Sequence, residues 1–314
     1  MNLPNLPPSR LSKDSGAALK HEVHAMWRAT LFVATTAVFA NFAGRDVRGR
    51  ARRARRGGFG ARRAVDDPCA RVLGDDDAVP CVHVSPCAAG ATGLSPFVLV
   101  DSPAGAPPRA PAQNASATAC FDERGLRFAV EAEDDDVFTS ARACGDALWS
   151  LGAALEVFAA PVAAPRDAPV FYQETDVAPS GAAWAATINN TGAGNATNCL
   201  SPDGVCPGLS PATFECDGRG PASFSGLHDL IISATNTTRG WRADFALPWT
   251  LFAPYFGAGG ETAAAQWPLW RVNVYRYDYP DPSDHATFEL SGWSATHADS
   301  FHVPARFGVL VLSF

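Results

Sequence analysis

Three groups of side chains in this 314-residue chain are spaced to do chemistry. Residues 291–312 (SGWSATHADSFHVPARFGVLVL) carry two aromatics, Trp293 and Phe301, and two histidines, His297 and His302, in one polar loop. Pro304, Arg306 and a Phe307-Gly308 pair follow, and an apolar run closes the stretch. Ring faces stack on the C–H faces of a pyranose while polar rims bond its hydroxyls, so such a loop suits a neutral sugar. The second group is acidic: Asp134, Asp135 and Asp136 follow Glu131 and Glu133. Carboxylates crowded on one loop either stay solvated or bind Ca2+, for which extracellular supply saturates even a weak site. The third group is Glu156 with Glu174 or Asp176. Such a carboxylate pair serves glycoside hydrolysis when about 5–9.5 Å apart. The chain has no Gly-x-Ser-x-Gly element and no phosphate loop, so no organic cofactor is expected.

These groups need a scaffold, and the pattern around them is β. Residues 126–132 (LRFAVEA) alternate, with Leu126, Phe128 and Val130 on one face. Further strands are expected at 154–158, 170–177, 183–189, 229–234, 240–247, 270–277 and 309–312. Pro248-Trp249 should end the 240–247 strand, because proline cannot donate to a ladder. Short strands separated by turn signals, without long helical periodicity, predict an all-β antiparallel sandwich. Trp184, Trp241, Trp249 and Trp270 read as core; Trp149 and Trp293 lie among small or polar neighbours and read as ligand-facing candidates. Arg306 reads as a partner for a carboxylate such as Asp278.

Four blocks in order carry a resemblance: CGDALWSLGAALEVF (144–158), GWRADFALPWTLF (240–252), WRVNVYRYD (270–278) and the tail at 291–312. Together they resemble carbohydrate-binding module family 9 and its look-alike domains over roughly residues 120–314. The resemblance implies a β-sandwich that holds a sugar between two loop aromatics. It makes Trp149 the first of these and Phe301 the second, where sugar-binding relatives have Trp. It makes Glu156 a carboxylate that bonds sugar hydroxyls, and it implies calcium holding strands near the site. Where the family supplies an arginine, this chain reads Tyr172-Gln173-Glu174-Thr175. Such modules are attached to glycoside hydrolases that break down polysaccharide and are themselves non-catalytic.

All eight cysteines (Cys69, Cys81, Cys87, Cys120, Cys144, Cys199, Cys206, Cys216) follow an Arg-rich segment, and an even count reads as up to four disulfides. Zinc on Cys81, His83 and Cys87 is the competing reading. Sequons stand at Asn114, Asn189, Asn195 and Asn236. Residues 1–43 form an extension with a signal-peptide-like apolar run, and 44–65 an Arg-rich pro-segment. The run is short for a membrane span. Residues 66–119 read as a Pro-, Ala- and Gly-rich lead-in, and 120–314 as the domain. A secreted glycoprotein is expected, with an organelle-targeting leader as the alternative. The acidic body argues against nucleic-acid partners. The leading reading is a non-catalytic binder of poly- or oligosaccharide working beside partner glycoside hydrolases. A hydrolase and a structural wall protein remain the alternatives.

Overall fold

Alternation decides the second half of this fold more visibly than the first. In residues 125–133 the apolar positions Leu126, Phe128, Val130 and Ala132 all turn inward, and in 240–248 Trp241, Ala243, Phe245 and Leu247 do the same. The computed structural model describes residues 67–72, 79–190, 196–198, 214–215, 222–224, 227–256, 259–281, 283–284 and 286–314. The readings of residues 1–66, Asn195, Cys199, Cys206 and Cys216 lie outside the described residues.

The strands, in chain order, are β1 (Cys81–Val84), β2 (Thr92–Gly93), β3 (Val98–Leu99), β4 (Ala115–Phe121), β5 (Gly125–Glu133), β6 (Ala154–Pro161), β7 (Phe171–Val177), β8 (Ala183–Asn190), β9 (Ala196–Asn198), β10 (Phe214–Glu215), β11 (Ala222–Phe224), β12 (Leu227–Thr237), β13 (Gly240–Pro248), β14 (Leu269–Asp278), β15 (Glu289–Gly292) and β16 (Gly308–Leu312). The first sheet runs β1-β16-β14-β6-β7-β8-β9, with β15 pairing both β14 and β3. The second runs β10-β11-β12-β13-β5-β4-β2. Pairing is antiparallel except between β1 and β16. The expected all-β sandwich is therefore the fold, and Phe128, Val130, Trp241 and Phe245 of one sheet meet Leu155, Val157, Val272 and Val274 of the other in its core.

The lead-in is part of the sandwich. β1 extends the first sheet beside β16, and β4 begins at Ala115 and pairs along β5. Disulfides join Cys69 to Cys81 and Cys87 to Cys120, and Cys144 is disulfide-bonded as well. Among the described residues no helix is long and apolar enough to cross a membrane.

The first sheet is buried on both faces. Its outer face carries a second apolar cluster that includes Phe158, Tyr172, Trp184, Tyr275, Phe301 and Phe307. Two loops supply the cover: one between β5 and β6 contributes Ala141 and Leu148, and one between β15 and β16 contributes Phe301 and Phe307.

Candidate functional site

The strand register builds a row across that outer face. Tyr275 of β14 stands opposite Glu156 of β6, Glu156 opposite Asp176 of β7, and Asp176 opposite Trp184 of β8. Side chains two residues apart share a face, so Glu174 lies beside Asp176 on the same side. The Phe301 ring stacks on Tyr275, with centroids 4.1 Å apart and planes 8° apart. At the other end Trp149 meets Trp184 edge-on at 5.4 Å. Two loop aromatics thus stand at opposite ends of a row whose middle is acidic.

Glu156, Glu174 and Asp176 each place a carboxylate oxygen within 4.8 Å of the others. They are 2%, 4% and 0% exposed. Glu174 Oε2 and both oxygens of Asp176 have no hydrogen-bond donor outside the trio, while the Glu174 and Asp176 carboxyls bond each other. Burial disfavours a charged carboxylate, and it drives all three groups well above the ordinary range. The negative charge of Glu156 adds to that rise in Glu174, and those of Glu156 and Glu174 add to it in Asp176. Burial, and after it the charges of all three acids, also pushes the Tyr277 phenol up.

His302 borders the cluster, with Nδ1 3.9 Å from Glu174 Oε2. The Tyr172 hydroxyl and that Nδ1 are hydrogen-bonded at 2.7 Å, and the imidazole lies flat on Phe158. Burial holds the His302 pKa down to about 4, so the ring is neutral at neutral pH. Three acids with a neutral imidazole beside them can do one of two things: share protons or surround a cation.

Several expected site residues have other work. Trp149 is 37% exposed. Phe301 is 3% exposed, and Tyr275 and Tyr277 occupy its ring, so the two aromatics do not form an open clamp. Trp293 is 2% exposed and belongs to the inter-sheet core, although its neighbours in sequence are polar. The ring lies where Gly308 leaves room: a Cβ there would come within 2.4 Å of Trp293 Cζ3. His297 is a loop brace. Its Nδ1 donates to the Ser102 carbonyl, its Nε2 accepts from Arg306, and its φ of 58° is held by an N–H bond to Val100. Arg306 therefore bonds His297 instead of Asp278, and Arg276 takes Asp278.

Glu156 is the inner member of the acidic trio, not an open hydroxyl acceptor. Glu174 and Asp176 stand beside it as sequence spacing allowed, but a hydrolytic pair must be reachable by substrate. Asp134, Asp135 and Asp136 do not converge on a point. Asp134 faces the Arg276 guanidinium at 3.5 Å, Asp135 N–H donates to Gln113, and Asp136 N–H caps Asp134. Asp134 thus already has a cation in Arg276. Zinc on Cys81, His83 and Cys87 is excluded by chemistry, because both sulfurs are spent in disulfides with different partners. Sequence reasoning missed Tyr277 and Tyr172; the alternation of Tyr275 and Tyr277 along β14 was the signal for the first of these.

No family model and no curated protein matches the sequence. Among solved structures, a candidate carbohydrate-binding protein from Bacteroides uniformis matches with a TM-score of 0.45 and 13% identity, over 74% of this chain and 99% of that one. Carbohydrate-binding module family 9 domains from Caldicellulosiruptor kristjanssonii match as well. The one solved with cellotriose has a TM-score of 0.42 and 10% identity, over 74% of this chain and 93% of its own. The one solved with glucose has a TM-score of 0.40 and 11% identity, over 74% and 95%. This chain is similar to carbohydrate-binding proteins of that sandwich type.

Proposed function

We propose that this domain is a secreted, non-catalytic binder of a neutral glycan, with Trp149 as its stacking platform. The observation that carries the reading is the exposure of Trp149, more than a third, beside an edge-on contact with Trp184 on the outer face of the first sheet. A half-exposed indole whose other contacts are already made offers ring area without collapsing onto the domain, which suits the apolar face of a pyranose. Binding is favoured over hydrolysis because the candidate acids are buried beneath the surface on which a sugar would lie. On this reading bond cleavage belongs to separate glycoside hydrolases.

Disulfides at Cys69–Cys81 and Cys87–Cys120 support passage through an oxidising compartment. The side chains of Asn114 and Asn236 are exposed, as glycan acceptors must be.

The test is a glycan array probed with the full chain secreted from a eukaryotic host, alongside its Trp149→Ala variant. Binding to a neutral oligosaccharide, weakened about tenfold or more by the substitution, supports the reading. Release of reducing sugar from the bound glycan would instead identify an enzyme.

A further inference from the structure

We propose that Glu156, Glu174 and Asp176 hold a divalent cation of the calcium class on the outer face of the first sheet. The proposal goes beyond glycan binding and does not depend on it. Calcium takes oxygen ligands at 2.3–2.6 Å, so two ligand oxygens of one ion lie up to roughly 5 Å apart. The three carboxylate oxygens fall inside that limit, all within 4.8 Å of one another.

The lack of outside donors points to an ion more strongly than the crowding does. Asp176 is fully buried, yet its oxygens and Glu174 Oε2 find no donor outside the trio, and Glu174 and Asp176 bond only each other there. Backbone ladders consume the main-chain donors of β6 and β7, so the strands offer these oxygens nothing. The neighbouring imidazole is engaged elsewhere: His302 Nδ1 is hydrogen-bonded to the Tyr172 hydroxyl and lies 3.9 Å from Glu174 Oε2. Buried carboxylates are kept charged only by a partner. Among the described residues no arginine or lysine supplies one.

The chemistry also selects among ions. The donor set is all oxygen, which disfavours zinc. Magnesium demands a near-ideal octahedron at about 2.1 Å and retains several waters, whereas three buried carboxylates offer an all-protein set. Calcium tolerates irregular, partly bidentate carboxylate coordination, and three carboxylates provide enough oxygens to fill most of its shell. All three ligands sit on two paired central strands, so the site is preorganised.

The experiment strips the full-length protein with EDTA and titrates it with CaCl2 alone, without sugar, at about pH 7.5. Calorimetry should find one equivalent bound at submillimolar concentration, and the melting midpoint should rise by roughly 3 °C or more at millimolar calcium. Terbium should compete for the site and show luminescence sensitised by the adjacent tyrosines. Glu174→Gln and Asp176→Asn should each abolish the calcium response while leaving the metal-free midpoint equal or higher, since each replaces a buried carboxyl whose ionisation is disfavoured with a neutral amide. The double variant Asp135→Asn/Asp136→Asn should keep the response.

Failure of the wild-type protein to bind calcium at about 5 mM would overturn the site and leave shared protons as the occupant. Retention of the response in Glu174→Gln or Asp176→Asn would overturn it too. Should one variant fail to fold, the wild-type titration and the other variant decide. Glycan binding that persists without calcium leaves the cation proposal to these outcomes alone, and calcium binding without glycan binding removes only the sugar reading.

Discussion

Arg276 donates to Asp278 at 2.7 Å within one strand, with both side chains fully buried, and the same guanidinium ties that strand to the opposite sheet. From β14 the same guanidinium reaches the carbonyls of Gln113 and Asn114 ahead of β4, the Glu133 carbonyl at the end of β5, and the Asp134 carboxylate. One cation thus serves two aspartates, and its fork geometry spends further donors on backbone carbonyls at strand ends.

Removing that cation should be costly. Arg276→Met leaves Asp134 and Asp278 buried without a counter-charge and is expected to destabilise the domain by about 3–5 kcal/mol in urea unfolding. Adding Asp134→Asn and Asp278→Asn to the same variant should restore part of the loss. No recovery would mean that the carbonyl bonds, not the charges, hold the sheets.

The same cluster sets a pH dependence. Burial, helped by the charge on Asp134, raises the Asp278 pKa to about 6 despite the opposing pull of Arg276. A carboxylate whose folded pKa lies above its unfolded value binds more protons when folded, so its contribution to stability falls as pH rises. The window runs from the ordinary aspartate value of 3.8 to about 6. Unfolding free energy measured across that window should decline less steeply in Asp278→Asn than in the native protein. Parallel profiles would show that Asp278 does not titrate there.

Gly308→Ala tests the seat of Trp293. The added methyl would meet the buried indole at 2.4 Å, so ring or strand must shift. Overpacking of this kind costs about 1–3 kcal/mol, whereas Trp293→Ala empties the seat and should cost about 3–5 kcal/mol. Thermal melts of the two variants should therefore rank in that order, and a neutral Trp293→Ala would return the indole to the surface.

Trp149→Ala should leave the melting midpoint nearly unchanged, since the indole is more than a third exposed and contributes one edge contact. A fall of many degrees would make Trp149 a core residue and remove it as a platform.

Opening the two disulfides should act on the unfolded chain. Their closures span 12 and 33 residues, worth about 3 and about 4 kcal/mol by loop entropy. The Cys87→Ala/Cys120→Ala variant should thus lose slightly more stability than Cys69→Ala/Cys81→Ala in denaturant titrations; equal or reversed losses would point to strain or residual unfolded structure.

Period-two patterning was sufficient to place β5, β13 and β16, because each presents large apolar residues at alternate positions or along a continuous buried run. The Pro248-Trp249 corner was equally legible, since proline ends the ladder and the Trp249 N–H turns to the Asp122 carbonyl. β4 escaped notice because Ala115, Ala117 and Ala119 give almost no hydropathic contrast with the Ser and Thr between them. The acidic trio was half visible. Spacing put Glu174 and Asp176 on one side of a strand, but local sequence marks that side as the wet face. Cover from Leu148 on one loop and Phe301 and Phe307 on another buries it, and register alone brings Glu156 opposite Asp176. Trp293 went the other way, from a polar loop into the core, because Gly308, fifteen residues later in the chain, leaves a ring-sized gap beside it. Burial and cross-strand proximity depend on contacts between distant segments, and a linear pattern records only each segment's own periodicity.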